Sequence, residues 1–144
     1  MARRLQYRYE PIDLKPNKAV GVMLPLGGNP MFKLSYTTEK QAISNLKNLL
    51  LTTKGERPFQ PLFGANIYSL LFENIQSDLD SLLEESLTND IKFWLPYILL
   101  DGVNVNTQPD YNKVTIDIKF RVGTQGVNQS IILEVDNQGG LSVV

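Results

Sequence analysis

The chain lacks the two residue types that carry much of protein chemistry at neutral pH. Its 144 residues include no cysteine and no histidine. The absence of cysteine excludes disulfides, thiolate catalysis and cysteine metal sites, and it leaves the redox compartment unconstrained. The absence of histidine removes the usual general base and the commonest zinc ligand together. We therefore expect neither a metal site nor a cofactor.

Long apolar runs and a strong net charge are missing as well. No apolar stretch approaches the length of a membrane span. The basic start of the chain, with Arg3 and Arg4, has no apolar segment behind it that would make a secretion signal. The formal net charge is −1, so no general attraction to nucleic acid is indicated. The length and the apolar fraction of 42% suit one ordinary globular domain.

Residues 1–37 show no clear period and are interrupted by prolines. Gly27-Gly28-Asn29-Pro30 predicts a turn, and Val20–Leu24 is consistent with a short strand. We treat 1–37 as an extended N-terminal arm. Two interpretations of it stay open: a solvated basic segment, or a segment that orders against a neighbouring subunit.

Two main helices and a short one are predicted next. Thr38 and Gln41 have the spacing of a capping box at the start of the first helix. A short helix is expected from Asn66 to Phe72, and a long one from Ser77 to Pro96. Apolar residues recur at helical spacing in the first and the long helix, at Ala42, Ile43, Leu46, Leu49 and Leu50, and at Leu79, Leu82, Leu83, Leu87, Ile91, Trp94 and Leu95.

The period changes to two after Ile98. Val103 and Val105 alternate with asparagines, Val114–Val122 alternates strictly, and Val127–Val135 makes a third strand. The pattern predicts an α+β fold: an N-terminal extended arm, two main helices plus a short one, and a three-stranded antiparallel β-meander on which the helices pack. The domain is expected to span residues 38–137, and 138–144 to form a short apolar tail.

The loop between the first two helices is dense in residues that fix a backbone. Gly55 can end the helix at a positive φ, while Pro58 and Pro61 exclude helix. Phe59 and Phe63 are expected to hold the loop on the core by apolar burial.

Two adjacent charges in this loop, Glu56 and Arg57, have two interpretations. Both side chains can point to water, or Arg57 can hydrogen-bond carbonyls of the helix end or the loop. We favour the second.

The same loop carries a family resemblance. The run Thr52-x-x-Gly55-Glu56-Arg57-x-x-x-Pro61-x-Phe63-Gly64, followed by Leu70-Leu71-Phe72-Glu73, resembles the signature of the gene-product-25-like baseplate wedge proteins. The similarity covers roughly residues 38–136. One departure stands at the helix–strand corner, where the family often shows Trp-Glu-Pro-Arg-Ile. Trp94, Pro96 and Ile98 are kept here, whereas Leu95 and Tyr97 replace both charges.

The resemblance implies a structural protein of the virion, assembled in the host cytoplasm into the baseplate of a contractile phage tail. Family members sit in the wedges, six copies per baseplate. Their partners are the tail sheath protein, whose first ring they template, and other wedge and hub or spike proteins. A type VI secretion wedge component is a close alternative. A cellular regulator that borrowed the fold to bind another protein is a further one.

Sheath templating suits a sheet edge, because unpaired backbone groups there can accept a strand from another chain. The predicted edge is the third strand, with Ile131, Ile132, Leu133, Glu134 and Val135. Glu134 is its only charge between Ser130 and Val135, so the strand has little protection against a visiting strand.

A lysozyme label has at times been attached to the family, which makes a peptidoglycan hydrolase the alternative function. A glycosidase needs two carboxyl groups roughly 5–9.5 Å apart across the sugar. The candidates are Glu56, Glu73, Asp101 and Asp110. Nothing in the sequence aims any of them at a substrate, so we predict no catalytic residue and no enzyme activity.

Overall fold

The computed structural model of the chain describes residues 15, 17–24, 26–67, 69, 79–108, 113–123, 126–135 and 141–143. The chain divides into two compact units, Met1–Asn45 and Leu46–Val144. This division falls inside the first helix, and the predicted domain limit at 37/38 remains a prediction.

The first unit contains a small two-stranded ribbon. Strands β1 (Gly21–Val22) and β2 (Leu34–Ser35) pair antiparallel. The amide of Leu24 donates a 3.3 Å hydrogen bond to Oγ of Ser44. This bond attaches the ribbon to the first half of helix α1 (Thr38–Leu51). The predicted short strand is thus confirmed at Gly21–Val22, and it belongs to a ribbon that is attached to a helix. Residues 1–14 lie outside the described part of the chain.

Helix α1 is capped one residue earlier than the sequence suggested. The Thr37 side-chain oxygen accepts a 3.4 Å bond from the Lys40 amide, which is the geometry of an N-cap threonine. The predicted capping box of Thr38 and Gln41 is therefore wrong. The side-chain nitrogen Nε2 of Gln41 instead donates to Oδ1 of Asn45 at 2.9 Å, one turn along the same helix.

Helix α2 (Leu79–Trp94) is the predicted long helix, and it packs against the strand that follows it, β3 (Ile98–Gln108). Its buried side is formed by Leu83, Leu87 and Ile91, at the spacing expected of one helical face. Ser77 and most of the predicted short helix lie outside the described residues. Ile67 and Ser69 are helical.

The strands form one antiparallel sheet in the order β3 (Ile98–Gln108), β4 (Lys113–Val122), β5 (Gln129–Val135) and β6 (Leu141–Val143). The α+β class and the antiparallel meander are confirmed, and the sheet gains a short fourth strand. The described part of the sheet contributes eight residues to the core, namely Ile98, Val103, Ile116, Ile118, Phe120, Ile131, Leu133 and Val135.

The fourth strand requires a correction at the sheet edge. Residues 138–144 were expected to be a tail, but Leu141–Val143 pairs with Val135–Leu133 of β5. Leu133, Glu134 and Val135 therefore have a neighbour on their outer side, so the predicted edge strand is covered along its second half. Leu141, Ser142 and Val143 alternate between apolar and polar, as a strand does, but three residues are too few to establish a period.

Within the described ranges, no helix has the length and apolarity to cross a membrane. The same ranges contain no group of three or more acidic residues placed to hold a metal ion.

Candidate functional site

The loop that follows α1 is closed by its own backbone. The Gly55 amide donates to the Pro61 carbonyl at 2.7 Å, and the Ala65 amide donates to the Thr52 carbonyl at 3.0 Å. Gly64 makes this closure possible. Its φ is +127°, and a Cβ atom there would lie 2.4 Å from the Thr52 carbonyl oxygen. Only glycine allows the two ends of the loop to approach this closely.

Side chains at the end of α1 complete the closure. Oγ1 of Thr52 donates to the Asn48 carbonyl at 2.7 Å, and this satisfies one of the carbonyls that a helix end leaves free. Gly55 takes a φ of +92° just beyond. The Glu56 carboxylate accepts a 3.0 Å bond from the Thr53 amide. Glu56 therefore has a structural role within the loop.

Arg57 connects the loop to both helices. Its Nη2 donates to Oδ1 of Asn48 at 2.8 Å and, more weakly, to Oγ1 of Thr52 at 3.5 Å. Its guanidinium lies over the Phe63 ring, and that ring contacts Trp94 edge to face at 5.2 Å between centroids. The expected bonds to backbone carbonyls are replaced by bonds to two side chains. The arrangement still fixes the loop.

The burial expected for Phe59 is wrong, because its side chain is 99% exposed. Leu62 is 73% exposed, and Phe93 at the end of α2 is 72% exposed. Two successive turns form this part of the loop: the Gln60 amide donates to the Arg57 carbonyl, and the Phe63 amide donates to the Gln60 carbonyl. Phe59 is the third residue of the first turn, and Leu62 is the third residue of the second. A fixed loop thus presents large apolar groups to solvent.

The helix–strand corner is built from backbone bonds. The amide of Leu95 donates to the Ile91 carbonyl at 2.7 Å, and the amide of Ile98 donates to the Leu95 carbonyl at 2.9 Å. Leu95 is 7% exposed, so this position of the corner holds a core side chain. Trp94 is the last residue of α2 and Pro96 lies between α2 and β3, and the Trp94 ring also contacts the Phe93 ring at 4.9 Å between centroids.

An ion pair also connects the loop to helix α2. Nζ of Lys54 lies 2.6 Å from Oδ1 of Asp90, whose side chain is 13% exposed. Sequence reasoning missed this pair, because the residues are 36 positions apart and no local pattern connects them.

The outer border of the sheet is open along part of β5. Strand β6 pairs only with Leu133–Val135, and no described strand pairs with the outer side of Ser130–Ile132. Ile131 points into the core, while Ile132 is 38% exposed on the outer face. The part of the predicted edge that is free in the described structure is therefore its beginning.

The carboxyl groups considered for hydrolysis are engaged elsewhere or lie outside the described residues. Asp101 forms a two-pronged ion pair with Arg121, at 2.9 Å to Nε and 2.8 Å to Nη2. The hydrogen bonds that Arg121 donates to Asp101, and then the negative charge of Asp101, raise the pKa of Arg121. Glu56 accepts the Thr53 amide, and Glu73 and Asp110 are not among the described residues.

Comparison with known proteins gives a consistent likeness. The family model described as "Baseplate wedge protein gp25" matches residues 37–127. The chain is 31% identical over 100 residues to the protein of that name from Enterobacteria phage T4, covering 65% of this chain and 74% of the relative.

Two solved structures resemble the fold. One, from Geobacter sulfurreducens and provisionally described as a tail lysozyme, has a TM-score of 0.61 at 24% identity, covering 69% of this chain and 91% of that one. The other is a chain of the anti-feeding prophage baseplate, with a TM-score of 0.49 at 16% identity and coverage of 83% and 77%. The first likeness concerns the fold alone, and the second is too distant to support an argument.

Proposed function

The chain belongs to the baseplate wedge protein gp25 family, and from this premise we propose that it is a non-enzymatic structural component of a contractile phage tail. It docks to other wedge and hub or spike proteins in six copies per baseplate, and it templates the first ring of the tail sheath. Its place is the baseplate of the virion, after assembly in the host cytoplasm.

The observation that carries the sheath-templating role is the open border of β5. A strand whose outer amides and carbonyls have no partner invites a strand from another chain. Ser130–Ile132 has such a border, whereas β6 covers Leu133–Val135. We therefore assign strand addition to Ser130–Ile132 rather than to the whole segment Ile131–Val135.

Docking to wedge partners is supported by the loop after α1. Fixed loops lose little conformational entropy on binding, and exposed aromatic groups are frequent centres of interface energy. Phe59 and Leu62 project from a loop held by Arg57 and by the Gly55–Pro61 hydrogen bond. We propose that these two side chains enter an apolar pocket of a neighbouring wedge protein.

Proline substitution tests the border. Successive amides of an antiparallel strand point alternately to its two sides. Of Ile132→Pro and Gln129→Pro, one therefore removes an outward amide and the other removes an amide that faces β4. We expect the outward variant to keep its circular dichroism spectrum and to stop seeding polymerisation of the sheath protein.

Ile132→Thr and Gln129→Thr are the matched controls, because they change the same side chains and keep the amide. We expect both to seed sheath polymerisation as the unmodified chain does. A folded proline variant with normal seeding would contradict the role of the border.

A type VI secretion wedge is the nearest alternative, since it uses the same fold for the same kind of assembly. Neighbouring genes discriminate the two systems. Sheath and tube genes beside capsid genes support the phage tail, whereas a secretion ATPase gene supports the alternative.

A further inference from the structure

Lys119 lies on the outer face of β4 between two cross-strand neighbours that offer it almost no side chain. Its partner on β3 is Gly102, and its partner on β5 is Ser130. A cavity of about 260 Å³ lies here, lined by Asp101, Lys119, Asn128, Gln129 and Ser130. Three of these residues belong to the start of β5 or precede it directly, so the cavity adjoins the open border.

The cavity carries an excess of positive charge. Asp101 is neutralised by Arg121, which binds it through two N–H groups at 2.9 and 2.8 Å. The Lys119 ammonium forms no ion pair with any residue in the described ranges. Asn128, Gln129 and Ser130 add side chains that can donate hydrogen bonds. These groups suit a carboxylate.

Resting on the proposed strand addition, we propose that the added strand carries an aspartate or glutamate opposite Ser130, whose carboxylate enters this cavity and pairs with Lys119. Neighbouring strands lie about 4.8 Å apart, so the visiting strand is about two spacings from β4. Long side chains reach across such a distance. Ser130 lies between Lys119 and the added strand, and its side chain is too short to block contact between the Lys119 ammonium and the carboxylate.

The next position on the same face fixes the register. It lies opposite Ile132, whose partner on β4 is Asp117. Oδ1 of Asp117 is buried and has no hydrogen-bond partner among the described residues. A second carboxylate there would meet the charge of Asp117, whereas an apolar side chain would cover Ile132. The segment recognised therefore has an acidic residue two positions from an apolar one.

Binding of the purified sheath protein of the same particle tests the pair. We expect Lys119→Gln to raise the dissociation constant about tenfold. Lys119→Glu should raise it further, because the carboxylate of the added strand would then face the carboxylate introduced by the substitution. Lys92→Gln is the control, since Lys92 is an exposed lysine on α2 and does not belong to the sheet. We expect it to leave the dissociation constant unchanged.

Carbodiimide coupling then identifies the acid. This reagent joins an amine to a carboxylate in direct contact, so mass spectrometry should find Lys119 linked to an Asp or Glu of an extended sheath segment. Equal sheath binding by Lys119→Glu and the unmodified chain would overturn the acidic contact and leave strand addition standing. If the unmodified chain itself neither binds nor seeds sheath, both proposals fail.

Discussion

The guanidinium carbon of Arg57 lies 4.2 Å from the centroid of the Phe63 ring. The same guanidinium donates to Asn48 near the end of α1, and the same ring contacts Trp94 at the end of α2. These contacts hold the loop between the two helices in one conformation. The exposed side chains of the loop are thereby presented in a fixed position.

Replacing Arg57 should therefore loosen the loop. We expect Arg57→Lys to lower the free energy of unfolding by about 1–2 kcal/mol, because lysine cannot both stack flat on Phe63 and donate to Asn48. Urea denaturation measures the change. Lys92→Gln, on an exposed helix position, should stay within about 0.5 kcal/mol. An equal effect of the two substitutions would show that the Arg57 contacts contribute nothing.

Gly64 and Gly55 form a matched pair. Both have positive φ, but a Cβ at Gly64 would lie 2.4 Å from the Thr52 carbonyl oxygen, whereas a Cβ at Gly55 has nothing within 4 Å. We expect Gly55→Ala to cost about 1 kcal/mol of unfolding free energy from backbone strain. Gly64→Ala should cost more than about 2 kcal/mol, because the backbone must also move. Similar losses in urea denaturation would contradict the close approach.

Phe59 should matter for docking and not for stability. Because its side chain is 99% exposed, Phe59→Ala should change the free energy of unfolding by less than about 0.5 kcal/mol. The affinity of the Phe59→Ala variant for the neighbouring wedge protein should fall at least about tenfold, because truncating an aromatic side chain at the centre of an interface has an effect of this size. Phe63→Ala is the contrasting variant, since loss of its ring contacts should lower stability. Unchanged wedge binding by Phe59→Ala would refute the docking surface.

The sequence predicts the parts of this fold that depend on local pattern. The loop glycines Gly55 and Gly64 and the end of α1 follow from backbone rules, and the β4 alternation identifies the sheet. Phe59 was mispredicted because hydrophobicity alone does not tell whether a loop side chain faces the core or solvent.

The features that depend on strand register could not be predicted from the sequence. Lys119 stands between Gly102 and Ser130 only because β3, β4 and β5 align as they do, with a bulge at Asp101. The Asp101–Arg121 pair joins residues 20 positions apart. No period in the sequence encodes such neighbours, so both the cavity and its charge emerge only from the assembled sheet.

The hydrolase alternative makes a clear prediction. We expect the purified protein to release no soluble fragments from peptidoglycan, because Glu56 is bound to the Thr53 amide and Asp101 to Arg121. Release measured as reducing sugar ends, and lost in Glu56→Gln, would instead support catalysis. Glu56→Gln keeps an oxygen acceptor for the Thr53 amide, so its fold should be preserved.

Hydrogen exchange of the chain with and without the purified sheath protein tests the central claim most directly. We predict that sheath slows amide exchange selectively within Ser130–Ile132, while the core amides around Phe120 are unchanged because they already pair inside the sheet. Slower exchange confined to β3, with none in Ser130–Ile132, would contradict strand addition at this border.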